Sequence, residues 1–217
     1  MADLSYKVVL LGESNVGKEQ YIFRLKESKY GSNPEILITS SNFIGKTLKF
    51  KDGKSISLDI FDTAGKEEYR SLANIDIKDA RVVILVYDIT NEKSFTELKE
   101  YWYEQVKKIG RKDVIFAVAA NKYELYEQMR VENEKGKEFA KSIGAGFFLT
   151  SSKSDSGFNK MLEYIGKKLI DPNYYYDEDE EKKKEREEYE RMKKEKAKLK
   201  EERKTEKKEE NKQCIIF

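Results

Sequence analysis

Residues 12–19 read GESNVGKE and directly follow the apolar run Lys7–Leu11. A strand, a glycine-rich turn and a helix in this order form a loop that wraps around phosphate groups. Gly12 and Gly17 allow the backbone to approach an anion closely, and the N-terminus of the following helix supplies amide donors and a positive dipole. Lys18 is placed to reach the terminal phosphates. This stretch therefore predicts an α/β fold that binds a nucleotide.

The last position of this loop is unusual. A hydroxyl residue that holds Mg²⁺ normally follows the lysine of this pattern, and here the residue is Glu19. A carboxylate is a ligand for hard cations. It also places negative charge beside the phosphates, at a cost of about 1 to 4 kcal/mol over a distance of about 4 Å. The loop contributes these candidate nucleotide-binding residues, with Glu19 also a candidate metal ligand: Ser14, Asn15, Val16, Gly17, Lys18, Glu19 and Gln20.

A second motif, DTAG at residues 62–65, follows the apolar run Ile56–Phe61. A carboxylate at the end of a strand, followed by a flexible glycine, suits an acid linked to Mg²⁺ and an amide that senses the γ-phosphate. Asp62 is therefore a candidate metal ligand, and Gly65 is a candidate nucleotide contact.

Two further motifs follow predicted strands: NKYE at residues 121–124 and TSSK at residues 150–153. An asparagine amide can contact the edge of a base, a lysine stem can cover a ring, and a carboxylate can accept from two N–H donors. All four motifs lie just past the carboxyl ends of strands, where open α/β sheets bind ligands. Four unrelated loops are the alternative interpretation. The candidates added here are Asn121, Lys122, Glu124, Ser151, Ser152 and Lys153.

In this order and spacing, GESNVGK, DTAG, NKYE and TSSK resemble the Ras superfamily of small GTPases. The stretch LVYDITNEKSF at residues 85–95 is similar to the Rab branch, and the resemblance covers about Ser5–Ile170. It implies binding of GTP/GDP with Mg²⁺, hydrolysis of GTP, and partners that include effector, exchange and GTPase-activating proteins. It also implies that Thr39 is the switch I threonine, with metal and catalytic roles, and that Tyr30 packs against guanine.

The chain departs from the family pattern at positions that matter for chemistry. Lys66 replaces the glutamine that orients water, Glu124 replaces the aspartate that reads the base, and Asp76-Ile77 replaces an aromatic pair. A lysine donates hydrogen bonds but cannot accept them. With Lys66 at this position we therefore expect slow hydrolysis of GTP. Even an intact relative turns over at only about 10⁻⁴ s⁻¹ unaided. The longer Glu124 side chain is expected to weaken guanine recognition by about 1 to 3 kcal/mol.

Two classes of function remain open at this point. The first is a Rab-like GTPase that switches between GTP and GDP in vesicle and membrane trafficking. The second is a catalytically impaired pseudo-GTPase that acts as a binding module tethered to a membrane. Glu19 and Lys66 favour the second class, whereas the phosphate loop, DTAG and the spacing of Thr39 favour the first. We expect the first, with a low intrinsic rate.

The composition indicates one domain followed by a charged tail. The chain has 217 residues, 39% of them charged, with a net charge of only +2. The segment Asp177–Lys212 is an almost unbroken run of Glu, Lys and Arg. Oppositely charged residues four apart favour a solvated helix, but a segment without an apolar face is also typical of disorder. The interleaved glutamates cancel the field that nucleic acid binding requires, so no nucleic acid partner is expected.

The single cysteine, Cys214, is the fourth residue from the end of the sequence, which reads CIIF. This matches a prenylation signal, and a terminal Phe favours geranylgeranyl. One lipid chain gives reversible membrane binding. We expect a cytoplasmic protein, reversibly attached to the cytosolic face of an internal or plasma membrane, with prenyltransferase and lipid-chaperone partners. No signal peptide or transmembrane run is apparent. The expected division is a G domain at 1–170, a tail at 171–213 and the prenylation signal at 214–217.

Alternating strand and helix patterns predict a doubly wound α/β fold with a six-stranded, mostly parallel sheet. A hairpin turn is expected at Asp52-Gly53, a capping box at Ser94 and Glu97, and core packing for Trp102. The predicted strands are Tyr6–Leu11, Thr47–Lys51, Ser55–Phe61, Val82–Tyr87, Val114–Ala119 and Phe147–Leu149. The predicted helices include Lys18–Glu27, Ser94–Ile109, Val131–Ile143 and Gly157–Ile170.

Overall fold

The computed structural model of the chain describes residues 5–27, 36–38, 43–50, 53–63, 70–154 and 156–176. The chain separates into two compact units, residues 1–175 and residues 176–217. The fold below is that of the first unit. Most of the predicted tail, the prenylation signal and the turn residue Asp52 lie outside the described residues.

The centre of the unit is a single sheet. Its strands are β1 Ser5–Leu11, β2 Ile36–Ile38, β3 Phe43–Lys49, β4 Ser55–Asp62, β5 Val82–Asp88, β6 Ile115–Asn121 and β7 Gly146–Leu149. The order across the sheet is β2-β3-β4-β1-β5-β6-β7. The β2-β3 and β3-β4 pairs are antiparallel, and the other pairs are parallel. The predicted fold class is confirmed, with all six predicted strands present. The short β2 was not predicted, because three residues are too few to show a strand periodicity.

Six α-helices accompany the sheet in the described residues. They are α1 Lys18–Glu27, α2 Arg70–Asp79, α3 Glu92–Glu97, α4 Glu104–Ile109, α5 Asn133–Ser142 and α6 Phe158–Ile170. A π-helical stretch, Leu98–Tyr103, joins α3 to α4, and a 3₁₀ segment spans Tyr123–Gln128. Helix α2 was not predicted. Its buried Ala73 and Ile77 lie four residues apart, but Ile75 between them is 69% exposed and obscures the apolar stripe.

The predicted capping box at Ser94 is wrong, because α3 begins earlier. Asn91 is the N-cap, and its Oδ1 accepts a hydrogen bond from the backbone N–H of Ser94 at 3.3 Å. The Ser94 hydroxyl is buried in the first turn, where it donates to the carbonyl of Asn91 at 2.7 Å and accepts from the N–H of Asp88 at 3.1 Å. Asparagine and serine are both good N-caps, and because the Ser94 hydroxyl packs against Asp88, Asn91 takes that role.

The core lies on both faces of the sheet. All seven residues of β5 are buried, as expected for a central parallel strand covered on both sides. On one face the completely buried Trp102 packs in a cluster with residues of α2, α3 and α5, which confirms its predicted core position. On the other face Tyr21 of α1 stacks on Phe158 of α6 with ring centroids 3.9 Å apart. The carboxyl ends of the parallel strands β1, β4, β5, β6 and β7 consequently share one edge of the sheet.

Candidate functional site

The loops that follow β1, β6 and β7 meet α1 around a cleft of about 570 Å³. This is the sheet edge at which the sequence motifs were expected to converge. Eight of the lining residues were predicted from the sequence, and Phe23 and Arg24 were not. The cleft is lined by Asn15, Gly17, Gln20, Phe23, Arg24, Asn121, Lys122, Glu124, Ser152 and Lys153.

The phosphate-loop turn depends on its two glycines. Gly12 has φ +154° and Gly17 has φ +101°, and Asn15 between them is left-handed with φ +64°. A Cβ added to Gly12 would lie 2.1 Å from the carbonyl oxygen of Val86, and one added to Gly17 would lie 2.3 Å from Nδ2 of Asn121. Both positions therefore require glycine for conformation and for space.

Lys18 is the first residue of α1 and is only 5% exposed. Its Nζ donates to the carbonyl oxygens of Gly12 and Glu13, both at 2.8 Å. Burial lowers the pKa of Lys18, and this effect is opposed by the negative charges of Asp62, Glu13 and Glu19. An ammonium group has three donors. The two carbonyls hold the lysine along the loop, and the third donor can serve a phosphate oxygen.

Asp62 ends β4 close to this lysine. Its Oδ1 is buried and has no hydrogen-bond partner among the described residues. Burial raises the pKa of Asp62 to about 6, with Lys18 lowering it and Glu19 raising it further. The next residue, Thr63, donates from Oγ1 to the carbonyl of Leu10 at 2.6 Å, which ties this strand end to β1. A buried carboxylate oxygen without a partner fits a ligand for a hard cation.

The structure places Glu19 in the first turn of α1, where its side chain is exposed. Within the described part of the chain, no cluster of three or more His, Cys, Asp or Glu side chains is arranged to hold a metal ion. Mg²⁺ commonly binds through one or two carboxylates, phosphate oxygens and waters rather than through a complete protein cage. Asp62 and Glu19 fit that mode of binding.

Asn121 joins three loops from the inside. The side chain is 1% exposed, and its Nδ2 donates to the carbonyl of Val16 at 2.7 Å and to Oγ of Ser152 at 3.0 Å. Its Oδ1 accepts from Oγ1 of Thr150 and from the N–H of Ser152, both at 3.2 Å. Asn121 therefore fixes the phosphate loop against the two motifs that follow β6 and β7, and its contact with a base edge stays a prediction.

Two further NKYE residues, Lys122 and Glu124, line the cleft; Lys122 directly precedes the 3₁₀ segment and Glu124 lies in its first turn. Lys122 is left-handed with φ +64°, and its Nζ lies 2.7 Å from Oδ2 of Asp88. Oδ1 of the same aspartate accepts from the N–H and the hydroxyl of Thr90 at 2.8 and 2.7 Å. Oε2 of Glu124 is buried and lacks a hydrogen-bond partner among the described residues. It is thus an acceptor suited to a ligand that carries N–H donors.

Some TSSK residues stabilise the turn, and others line the cleft. Ser151 is 1% exposed, and its Oγ accepts from the N–H of Ser154 at 3.0 Å, which shapes the turn. Oγ of Ser152 donates to the carbonyl of Gly17 at 3.1 Å and so attaches the turn to the phosphate loop. Lys153 is exposed at the rim of the cleft.

The sequence did not single out three side chains that the structure brings to the site. Phe23 is 55% exposed on the wall of the cleft. Arg24 donates from Nε to the carbonyl of Ser152 at 3.2 Å and from Nη2 to the carbonyl of Lys153 at 2.9 Å. Glu13 accepts at Oε1 from Nε1 of Trp102 at 3.0 Å. No local sequence signal marks these contacts, because each depends on segments that are distant along the chain.

Five predicted site residues lie outside the described residues: Tyr30, Thr39, Gly65, Lys66 and Cys214. Their roles remain predictions. In the ranges that the structure describes, no helix is both long enough and apolar enough to cross a membrane.

Comparison with known proteins extends over nearly the whole first unit. A family profile described as the Ras family matches residues 7–171. Ras-related protein Rab-21 of Geodia cydonium is 36% identical over 172 residues, which cover 79% of this chain and 74% of the relative. Rab-21 of Homo sapiens is 34% identical over 167 residues, covering 77% and 73%. Ras-related protein Rab-26 of Rattus norvegicus is 33% identical over 167 residues, covering 77% and 64%.

Proposed function

The chain belongs to the Ras family, in its Rab branch, and on that premise we propose that it is a GTP- and GDP-binding switch with slow intrinsic hydrolysis. It acts in vesicle and membrane trafficking by presenting different surfaces to effectors in its two nucleotide states. Exchange factors and GTPase-activating proteins set the balance between those states.

The observation that carries the proposal is a pair of buried carboxylate oxygens, one near Lys18 of the phosphate loop and the other in the lining of the cleft. Near Lys18, the buried Oδ1 of Asp62 has no hydrogen-bond partner among the described residues. The buried Oε2 of Glu124 likewise has no hydrogen-bond partner among them. The glycine-rich loop and Asn121 connect these two places. A ligand with phosphates and a metal at one end and paired N–H donors at the other would satisfy both oxygens, and a guanine nucleotide has that chemistry.

The assignments of individual residues follow from this placement. Asn15 and Gly17 bring the loop backbone to the phosphates, and Lys18 adds its ammonium group. Asp62 and Glu19 are the described residues that would hold Mg²⁺. When bound, Mg²⁺ neutralises charge on the phosphate oxygens.

The base end uses a separate set of groups. Glu124 accepts from the paired N–H groups of guanine, and Lys122, held by Asp88, covers the ring with its stem. Thr39 and Lys66 complete the switch regions, and slow hydrolysis follows because a lysine at position 66 cannot accept a hydrogen bond from the attacking water.

A pseudo-GTPase is the second candidate, and one observation favours it. Glu19 adds a negative charge next to Asp62, and this charge contributes to the raised pKa of Asp62. Extra negative charge at this place opposes the binding of phosphates. In this alternative the protein stays in one nucleotide state or in none, and works as a fixed, membrane-tethered interaction surface.

Attachment to the membrane forms a further part of the proposal. Prenylation of Cys214 by a prenyltransferase would give a single anchor, and a lipid-chaperone protein would extract the chain from the membrane. Mass spectrometry of the protein isolated from its own cells tests this step. The expected result is a geranylgeranyl adduct on Cys214, and an unmodified Cys214 contradicts it.

The deciding experiment identifies the nucleotide released when the purified protein is denatured. Bound GDP or GTP supports the switch, and a site that neither contains nor takes up guanine nucleotide supports the second candidate. Single-turnover decay of loaded GTP, with and without Mg²⁺, then measures hydrolysis. Lys66→Gln is expected to speed this decay, and Glu19→Ser is expected to tighten nucleotide binding. If neither change has its effect, the roles assigned to these two positions are wrong.

A further inference from the structure

Arg24 stands on α1 in the wall of the cleft and reaches the turn at residues 150–153. Its Nε donates to the carbonyl of Ser152 at 3.2 Å, and its Nη2 donates to the carbonyl of Lys153 at 2.9 Å. A guanidinium group holds its donors in a planar fork, which suits two neighbouring oxygens. The ammonium of a lysine has no such fixed geometry. One side chain of α1 therefore fixes two successive carbonyl groups of this turn.

These bonds fix the orientation of the peptide groups in the turn. Each peptide group is planar and trans, so a fixed carbonyl directs the N–H of the next residue to the opposite side. The N–H of Lys153 accordingly faces away from Arg24. The N–H of Ser154, in the plane of the Lys153 carbonyl, donates to Oγ of Ser151 at 3.0 Å. Arg24 thus orients the turn that forms part of the cleft lining.

The same turn is held on another side by the network of Asn121. The N–H of Ser152 donates to Oδ1 of Asn121 at 3.2 Å, and Oγ of Ser152 donates to the carbonyl of Gly17 at 3.1 Å. Helix α1 begins at Lys18, so one short helix carries both the phosphate-end lysine and the arginine that holds this turn. The N–H of Tyr123 in the NKYE motif donates to the carbonyl of Thr150 at 3.0 Å, so the turn that α1 and Asn121 hold is also attached to the base end of the cleft.

We propose that Arg24 is a positioning residue that fixes the base-binding end of the cleft relative to the phosphate-binding end. The inference rests on the proposed function, in that the ligand is a guanine nucleotide. It assigns Arg24 to selectivity for the base and to nucleotide retention. Lys18, Asp62 and Glu19 are instead assigned to the contacts with the phosphates and the metal.

The test uses Arg24→Lys, which keeps the charge but loses the fork, together with Arg24→Gln. Arg130→Lys is the matched control, because Arg130 is exposed and is not among the residues that line this cleft. The measurement is the dissociation rate of fluorescently labelled GDP, in excess Mg²⁺ and in EDTA. We expect Arg24→Lys to speed dissociation about tenfold in both conditions, which corresponds to about 1.4 kcal/mol, and Arg130→Lys to leave the rate unchanged.

A second readout separates positioning from a general loss of stability. The preference for GDP over inosine diphosphate, which lacks the 2-amino group, is expected to fall in Arg24→Lys. The ratio of the dissociation rates in EDTA and in Mg²⁺ is expected to stay at the wild-type value. An unchanged rate and preference overturns the proposal, and so does an acceleration confined to the Mg²⁺ condition, because that result would place Arg24 at the metal end.

Hydrogen exchange of the nucleotide-free protein distinguishes this inference from the proposed function. If the wild-type protein binds no labelled GDP, the proposed function fails. Exchange at the amides of Ser152 and Ser154 then still tests the positioning role. Faster exchange in Arg24→Lys, with β5 unchanged, supports it, whereas equal exchange in the two proteins refutes it.

Discussion

Replacing Gly17 by alanine is the most direct perturbation of the network that joins the three loops. Gly17 has φ +101°, and an added Cβ would lie 2.3 Å from Nδ2 of Asn121. Asn121 cannot retreat without loss, since its Nδ2 donates to the carbonyl of Val16 and to Oγ of Ser152. The variant therefore combines backbone strain with displacement of a buried amide.

The magnitude follows from those two effects. A residue with a Cβ at this φ costs on the order of 1 to 3 kcal/mol in strain. A displaced buried amide that leaves its partners unsatisfied adds about 1 to 3 kcal/mol. We expect Gly17→Ala to lower the free energy of unfolding by about 4 kcal/mol. Gly144→Ala is the matched control, because Gly144 also has positive φ, at +65°, but nothing lies within 4 Å of its added Cβ. That control should lose only about 1 to 2 kcal/mol.

The assay is urea unfolding of the nucleotide-free proteins, followed by far-ultraviolet circular dichroism. Nucleotide is removed first, because a bound ligand would stabilise the native state by mass action and mask the difference. The difference between the two variants isolates the collision with Asn121. If Gly17→Ala loses no more than about 1 kcal/mol beyond Gly144→Ala, the Asn121 network does not hold the three loops together.

Three other predictions follow from the same site. Burial raises the pKa of Asp62 to about 6, above the value of about 3.9 in an unfolded chain. The native carboxyl therefore keeps its proton longer, and this group makes the nucleotide-free protein less stable as pH rises from about 4 to about 6. Asp62→Asn should remove that slope in urea unfolding, and an identical slope in both proteins contradicts the assignment. Because Trp102 is the sole tryptophan and donates to Glu13 of the phosphate loop, its fluorescence should change on GDP binding; a spectrum unaltered at saturation argues against this link. Asp88→Asn weakens the charge pair that holds Lys122 and should raise the GDP dissociation rate roughly five- to tenfold. Asp113→Asn is the control: Asp113 is exposed, is paired with Arg81 and Arg111, and its change should leave the rate unaltered.

The main features of the fold were accessible from the sequence because they depend on local patterns. The apolar run from Val82 to Tyr87 is buried along its whole length, as a central parallel strand requires. The start of α3 was less accessible, because Asn91 and Ser94 are both good caps and only the tertiary packing of Ser94 decides between them. The apolar pattern of helix α2 is interrupted by Ile75, which is exposed. Whether an apolar residue of this helix is covered depends on the packing of the whole domain, which a local pattern does not contain.

The candidate site divides in the same way. The glycines and the lysine of the phosphate loop were identifiable because the whole motif lies in one short segment of the chain. The contacts of Arg24 with Ser152 and Lys153, and of Glu13 with Trp102, join segments from different parts of the chain. Asn121 shows the limit most clearly: its motif indicated a nucleotide contact, but its role in joining three loops depends on the register of β6 and β7.

The departure from the family pattern at Glu19 affects the metal side of the site rather than the contacts that hold its loops together. Asn121, Ser152 and the two glycines of the phosphate loop make the contacts that hold the three loops together. At the metal end, Lys18 lies in the field of three carboxylates, from Asp62, Glu13 and Glu19. A carboxylate at position 19 in place of a hydroxyl repels phosphate oxygens when no cation is present and attracts Mg²⁺ when it is. We therefore expect Glu19 to make nucleotide binding more dependent on Mg²⁺ without altering the contacts between the loops. We therefore expect the two effects to be separable: Glu19 would change the strength of nucleotide binding, whereas Lys66 would change the rate of hydrolysis.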